Sequence, residues 1–244
     1  MRQIGRRTAE LQNALASRPD IPEFTPEPVT SDDVARWIAV LAERAEATFS
    51  ELSRRQDLDD LTRALVDRLA APVERFLADL RSQALPTPAI SKIRHHGDLH
   101  LGQMLLAKDD VYILDFEGEP QRSLEERRRK APAARDVAGL LRSIDYAATA
   151  AFERALETWP DERDRLFNAL EDWGRQSAAT FMASYREALG NPLLWPADAA
   201  EADSLLDFFL LEKAFYEINY ELANRPNWLR VPLMGLQRIL AQRS

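Results

Sequence analysis

The chain holds a set of oxygen-bearing side chains whose order suits the transfer of a phosphoryl group. Asp98 stands in the run His96-Gly97-Asp98-Leu99-His100-Leu101-Gly102-Gln103, and Asp115-Phe116-Glu117 begins twelve residues after the glutamine. Asp98 is suited to accept a proton from an attacking hydroxyl. The Gln103 amide, five residues on, can hold a metal ion. Asp115 can hold the same ion against the phosphates of a nucleotide. Both offer hard oxygen ligands, the type Mg2+ prefers. Glu117 lies two residues beyond Asp115 and shares its strand face if extension continues, so it could hold a second ion directly or through water. Such a reaction asks for alignment and charge compensation rather than covalent chemistry from the protein.

Each piece alone is a weak signal. Gly-Asp is a common turn and Asp a common cap, and Asp115 could simply close a hairpin. The combination is stronger, because it follows the order H-x-D-x-x-x-x-(amide) and then D-F-x found in protein kinases. His96 is expected to pack and hydrogen-bond within the loop. His100, two beyond Asp98, either touches substrate or only neighbours it, and His95 reads as a solvated neighbour. Asp136 opens a helix. It is a first-turn carboxylate favoured by the helix dipole, a buried acceptor for backbone N–H groups of the loop, or both.

The elements around this motif are mainly helical. Apolar periodicity and capping residues predict helices near 7–17, from Ser31 to about Ser53 and from Leu58 to Leu80. The pattern then predicts helices at Ala133–Ala155, Asp161–Leu189, Asp198–Leu222 and Leu229–Gln242. Pro19, Pro22, Pro26 and Pro28 make an extended connector, and Pro86 and Pro88 end the Leu58–Leu80 helix. Met104-Leu105-Leu106 and Val111-Tyr112-Ile113-Leu114 flank Lys108-Asp109-Asp110 and read as a small β-hairpin, the only convincing strand pair. The charge run from Glu125 to Lys130 reads as a solvated loop. The fold class is therefore mainly α with one hairpin that carries the chemistry.

Composition removes several alternatives. A net charge of −8 argues against a nucleic-acid partner held on a basic surface. Without cysteine there is no disulfide, thiolate metal site or cysteine nucleophile. All three histidines fall between 95 and 100, which disfavours a multi-histidine zinc site. No apolar run is long enough to span a bilayer, and the N-terminus lacks a signal-peptide core, so no membrane partner and a cytoplasmic location are expected.

These residues resemble the aminoglycoside-phosphotransferase-like kinases and, within them, the bacterial maltokinases, including those fused to trehalose synthase. The resemblance rests on Gly5-Arg6-Arg7-Thr8-Ala9-Glu10-Leu11, the two motif segments, the helix from Arg135 to Ala148, Glu212-Lys213-Ala214-Phe215-Tyr216-Glu217 and Asn224-Arg225-Pro226-Asn227-Trp228-Leu229. It implies that residues 1–244 are the C-lobe of a protein-kinase-like fold, with the catalytic loop and metal site at 94–120 and a helical sugar-binding part at 132–244. It implies ATP and Mg2+ as cofactors, and maltose as the acceptor, phosphorylated on a route to α-glucan such as glycogen.

The same resemblance assigns Lys213, Tyr216 and Tyr220 to the sugar, since they share one helical face. Tyrosine rings suit apolar sugar faces, while phenols and an ammonium suit hydroxyls. Pattern alone favours an amphipathic helix with core tyrosines and a surface lysine, and the family context reverses that. The family's N-lobe, with its phosphate-covering loop and lysine, is absent from these 244 residues. The isolated chain is therefore expected to be a poor kinase that needs an N-lobe or a trehalose synthase domain in cis or trans. Two further readings stay open: a kinase for another sugar or amino sugar, such as glucosamine, and a non-catalytic maltose-binding or scaffold module.

Overall fold

The computed structural model describes residues 1–82 and 87–241. Pro86 and Gln242, invoked above as helix limits, lie outside them. The helices are α1 (Arg2–Leu15), α2 (Ser31–Arg54), α3 (Asp60–Ser82), α4 (Leu124–Arg128), α5 (Ala134–Thr158), α6 (Arg163–Ala188), α7 (Ala199–Asn224) and α8 (Arg230–Ala241). The strands are β1 (Glu27–Pro28), β2 (Ser91–Lys92), β3 (Met104–Ala107) and β4 (Asp110–Ile113). The described chain is thus mostly helical with two small antiparallel sheets.

Local chemistry explains most element limits, and three differ from expectation. Helix α2 is capped one residue earlier than the Ser31-Asp32-Asp33 cluster suggested, by Thr30, in a reciprocal capping box with Asp33. The β3–β4 hairpin is not the only strand pair, because β1 pairs with β2 through Glu27↔Lys92 and Pro28↔Ser91. A two-residue edge tolerates the proline that marked this stretch as a connector. The run from Glu125 to Lys130 is not all loop. Ser123 Oγ accepts from Glu126 N–H while the Glu126 carboxylate accepts from Ser123 N–H, which nucleates α4.

Two compact units divide the chain. The first comprises Met1–Pro28 and Ala89–Leu206; the second comprises Val29–Pro88 and Asp207–Ser244. In the first, α1 lies against α6 closely enough that a Cβ at Gly5 would sit 2.5 Å from Phe181 O. Gln12, fully buried, donates to Ala133 O at 3.0 Å and accepts from the Tyr185 hydroxyl at 2.6 Å, so a buried amide is satisfied on both sides. In the second unit α3 packs on α2 and α8. Trp37 meets Phe208 and Phe209 there, and Phe49 meets Phe215 edge-on. No helix among the described residues is long and apolar enough to cross a membrane.

Candidate active site

The loop from His96 to Gln103 is held by one face of α5. Asp136, buried at the first turn of that helix, accepts His96 N–H at 2.8 Å and Gly97 N–H at 3.0 Å. Two turns later Ser143 Oγ accepts Leu101 N–H at 2.9 Å and donates to Leu140 O at 3.0 Å. Between them a Cβ at Gly139 would lie 2.8 Å from Leu99 O, so only glycine lets the loop come this close. Positions 136, 139 and 143 recur at helical spacing and share a face. Of the two roles open to Asp136, it therefore fills both.

His96 joins this loop to the segment carrying Asp115. Its Nε2 lies 2.8 Å from Leu114 O, which can only accept, so the proton resides on Nε2. Nδ1 is then free to accept Asp98 N–H at 3.3 Å. The ring is 1% exposed and packs 4.8 Å from Phe116. His96 is thus a strut between the Asp98 backbone and the residue preceding Asp115. The two segments also meet at glycines, since a Cβ on Gly97 would sit 3.2 Å from Gly118 Cα, and both residues have positive φ.

His100 is oriented by its own turn. Nδ1 accepts Gly102 N–H at 3.0 Å, which leaves the proton on Nε2, and Nε2 lies 3.7 Å from Asp98 Oδ2. His95 differs from expectation. It is buried rather than solvated, and burial pulls its pKa down to about 4, with Arg135 and Arg122 acting in the same direction and Asp136 and Glu119 opposing.

The hairpin brings Gln103 and Asp115 together. Its loop residues Lys108 and Asp109 both have positive φ, the conformation of a type I′ turn, which matches the twist of the strands. Arg7 and Gln3 of α1 hold the far end through Asp110, at 2.5–2.9 Å, and these bonds keep the Asp110 carboxyl well below the usual carboxylate range. At the near end Leu114 N–H donates to Gln103 O, and Gln103 Nε2 donates to Asp115 Oδ2 at 3.0 Å.

Beyond Ile113 the strand stops, and Asp115 takes a left-handed conformation with φ 61. The extension that would align Glu117 with Asp115 is therefore not found. Among the described residues no three acidic or histidine side chains gather as a metal site, so Glu117 is not assembled with Asp98 and Asp115. The D-F-E-G-E-P segment is instead fastened by Glu119, buried with Arg122 and 3.5 Å from Arg135.

Lys213, Tyr216 and Tyr220 line up on α7 in the second unit. The Lys213 ammonium lies 4.7 Å from the Tyr216 ring centre, and the two tyrosine rings stack at 6.5 Å. Arg225 extends the stack, lying over both Tyr220 and Trp228. Tyr216 is buried, while Lys213 and Tyr220 are half-buried.

Comparison with known proteins points to sugar kinases. Over 246 residues the chain is 27% identical to a glucosamine kinase of Streptacidiphilus jiangxiensis, a match covering 99% of this chain and 49% of that protein. It is 29% identical over 249 residues to a glucosamine kinase of Mycolicibacterium smegmatis, covering 97% of this chain and 52% of that one. A glucosamine kinase solved with glucosamine, ADP and inorganic phosphate superimposes with a TM-score of 0.77 at 26% identity. That alignment covers 99% of this chain and 54% of the other. The chain thus spans about half the length of the relatives it matches. No protein-family model matches it.

These likenesses overturn the maltokinase expectation, with its maltose acceptor and its trehalose and glycogen context. Proteins similar over nearly the whole chain are glucosamine kinases. The motif blocks that suggested a maltokinase did not separate the two kinds of kinase. Sequence reading also missed Gly139, Ser143 and Glu119 as supports of the site. The spacing of Asp136, Gly139 and Ser143 along one helix face was the available signal.

Proposed function

We propose that this chain forms the base-bearing, metal-bearing and sugar-binding part of an ATP-dependent glucosamine kinase. In this reading residues 94–120 carry the chemistry and 132–244 the helical sugar-binding part of a kinase-like C-lobe. The observation that carries it is the convergence of a kinase-spaced motif on one fastened loop, in a chain that matches glucosamine kinases along 97–99% of its length. The neighbour bound to ADP and phosphate supports ATP as the donor.

Asp98 accepts a hydrogen bond from the attacking sugar hydroxyl and takes its proton. The sugar oxygen bonds to the γ-phosphorus as the bond to the β–γ bridging oxygen breaks, and ADP leaves. His100 Nε2–H, beside the Asp98 carboxylate, meets the same hydroxyl-bearing ligand.

Gln103 and Asp115 would hold Mg2+, and the donor set fits: one carboxylate and one carboxamide in direct contact, with water and phosphate completing the sphere. When bound, Mg2+ supplies charge compensation for the phosphates. In the arrangement seen, the Gln103 amide donates to Asp115, and a half-turn about its soft terminal torsion would offer its oxygen as a ligand instead. Glu117 remains a contributor through water. Within the second unit, the stacked Tyr216 and Tyr220 rings and the Lys213 ammonium offer the apolar faces and the donor that suit a sugar.

Titration calorimetry with glucosamine, maltose and glucose tests the reading, together with ATP turnover in the presence of each sugar. Glucosamine should bind best. Asp98→Asn should lower turnover by about 10²–10⁴-fold while leaving glucosamine affinity within a few-fold. Tighter binding of maltose, or undiminished turnover by Asp98→Asn, defeats it.

A further inference from the structure

We infer that Ser143 is a positioning residue for the metal site, acting on Gln103 through the backbone of Leu101. The inference rests on the proposed roles of Gln103 and Asp115. Ser143 lies four residues along α5 from Gly139, the preceding point of close approach to the loop, and the hydrogen bonds found for it among the described residues go to Leu101 and Leu140, not to Gln103 or Asp115.

The argument begins with a short turn. Leu101–Gln103 is one turn of tight helix with His100 as its cap, and the first N–H groups of such a turn have no partner within it. Gly102 N–H goes to His100 Nδ1, and Gln103 N–H goes to His100 O. Leu101 N–H goes to Ser143 Oγ. All three donors are thus used, and one of them by a residue 42 positions away.

The hydroxyl is directional. Its proton is committed to Leu140 O at 3.0 Å, so a lone pair faces Leu101 N–H at 2.9 Å. Asp136 fixes the loop before Asp98, and Ser143 fixes it after. Without Ser143 the loop keeps its first fastening and His96 its strut, so Asp98 stays seated. The turn that aims Gln103 loses its link to α5. Gln103 presents its amide to Asp115 only while that turn holds its place, with Leu114 N–H on its carbonyl as the remaining restraint. The hydroxyl therefore separates two functions of one loop, setting the metal side while leaving the base side to Asp136.

The test uses the full chain and Mn2+ as the probe, since Mn2+ takes the same oxygen ligands as Mg2+ and is paramagnetic. Mn2+ binding in the presence of ADP is followed by electron paramagnetic resonance, and glucosamine binding by calorimetry. Ser143→Ala should weaken Mn2+–ADP binding by about three- to tenfold, the loss expected for one hydrogen bond, with glucosamine affinity within twofold. Ser143→Thr should restore Mn2+–ADP binding, because it returns the hydroxyl.

Asp115→Asn is the control for the site itself. If Asp115→Asn weakens the metal and Ser143→Ala does not, the inference falls and the site stands. An equal loss of metal and sugar binding in Ser143→Ala marks a general structural role and also overturns it. Wild-type affinity in Asp115→Asn, or no Mn2+–ADP binding by the wild-type chain, removes the metal site and the inference with it.

Discussion

The two ends of the kinase-like motif are built in opposite ways. The loop from His96 to Leu101 is tied to α5 by two side chains: buried Asp136 beneath His96 and Gly97, and half-buried Ser143 beneath Leu101. The hairpin that follows is the reverse. Leu105, Leu106, Tyr112, Leu114 and Phe116 are all exposed by 46–77%, and Asp110 at the far end is held by Arg7 and Gln3 rather than by a core. Gln103 and Asp115 sit where the two constructions meet. A two-stranded ladder alone is marginal in water, so its geometry at Gln103 and Asp115 depends on the fastened loop beside it. Rigidity in this site comes from one side.

Removing that fastening should give the largest effect. In Asp136→Ala two N–H groups, the buried one of His96 and the half-buried one of Gly97, lose their acceptor together. Each orphaned donor costs about 1–3 kcal/mol, so urea unfolding should report a loss of about 3–5 kcal/mol. Asp115→Asn, at an exposed position on the other side of the junction and still suited to the left-handed backbone there, should cost under about 0.5 kcal/mol in the same experiment. Similar losses for the two variants would erase the distinction drawn between loop and hairpin.

The next effect is pH dependence, and it belongs to the buried side alone. His95 folds with its pKa at about 4 against an ordinary 6.5, because burial disfavours the imidazolium. Between these values the unfolded chain binds the proton and the folded chain does not. The neutral ring's contribution to stability is therefore complete above about pH 6.5 and is lost as pH falls toward 4. The full difference is at most about 3 kcal/mol. Stability measured from pH 7 to 4 should fall more steeply in the wild type than in His95→Gln. Parallel curves would mean that His95 takes its proton without cost.

The contrast also explains what the sequence could and could not reveal. The helices were legible because Leu65, Leu69, Val73 and Leu77 repeat at helical spacing and are buried on one face, and so was the hairpin. The motif was legible because Asp98, Gln103 and Asp115 are spaced by the loop and strand that separate them. What lay hidden depended on contacts distant in sequence. His95 and His100 flank the same short loop, yet one is buried and the other half exposed, which depends on α5 arriving beneath. The β1–β2 pair joins residues 27–28 to 91–92, and two-residue strands carry no periodicity to read. The shared strand face expected for Asp115 and Glu117 did not form, because two-residue alternation was extended past Ile113, where Asp115 turns left-handed. The choice between the maltokinase and glucosamine kinase likenesses failed for another reason: the sequence blocks that suggested the first did not separate it from the second.

The smallest effect should come from the hairpin, and a single cross-strand pair shows why. Leu106 of β3 faces Val111 of β4 in register. Directly opposed residues in an antiparallel pair share a face of the ladder. Yet Val111 is 5% exposed and Leu106 is 77% exposed, so one neighbour has covered the valine and none covers the leucine. Folding removes little of the Leu106 side chain from water, and replacing it forfeits little transfer free energy. Leu106→Ser should shift unfolding by less than about 0.5 kcal/mol. Val111→Ala, which deletes buried methyl groups, should cost about 2 kcal/mol. If Leu106→Ser costs as much as Val111→Ala in the isolated chain, the hairpin carries its own core, and the view that it relies on the fastened loop fails. A near-neutral Leu106→Ser leaves that apolar edge with no role in holding the fold, and makes the seat of Gln103 and Asp115 a property of α5.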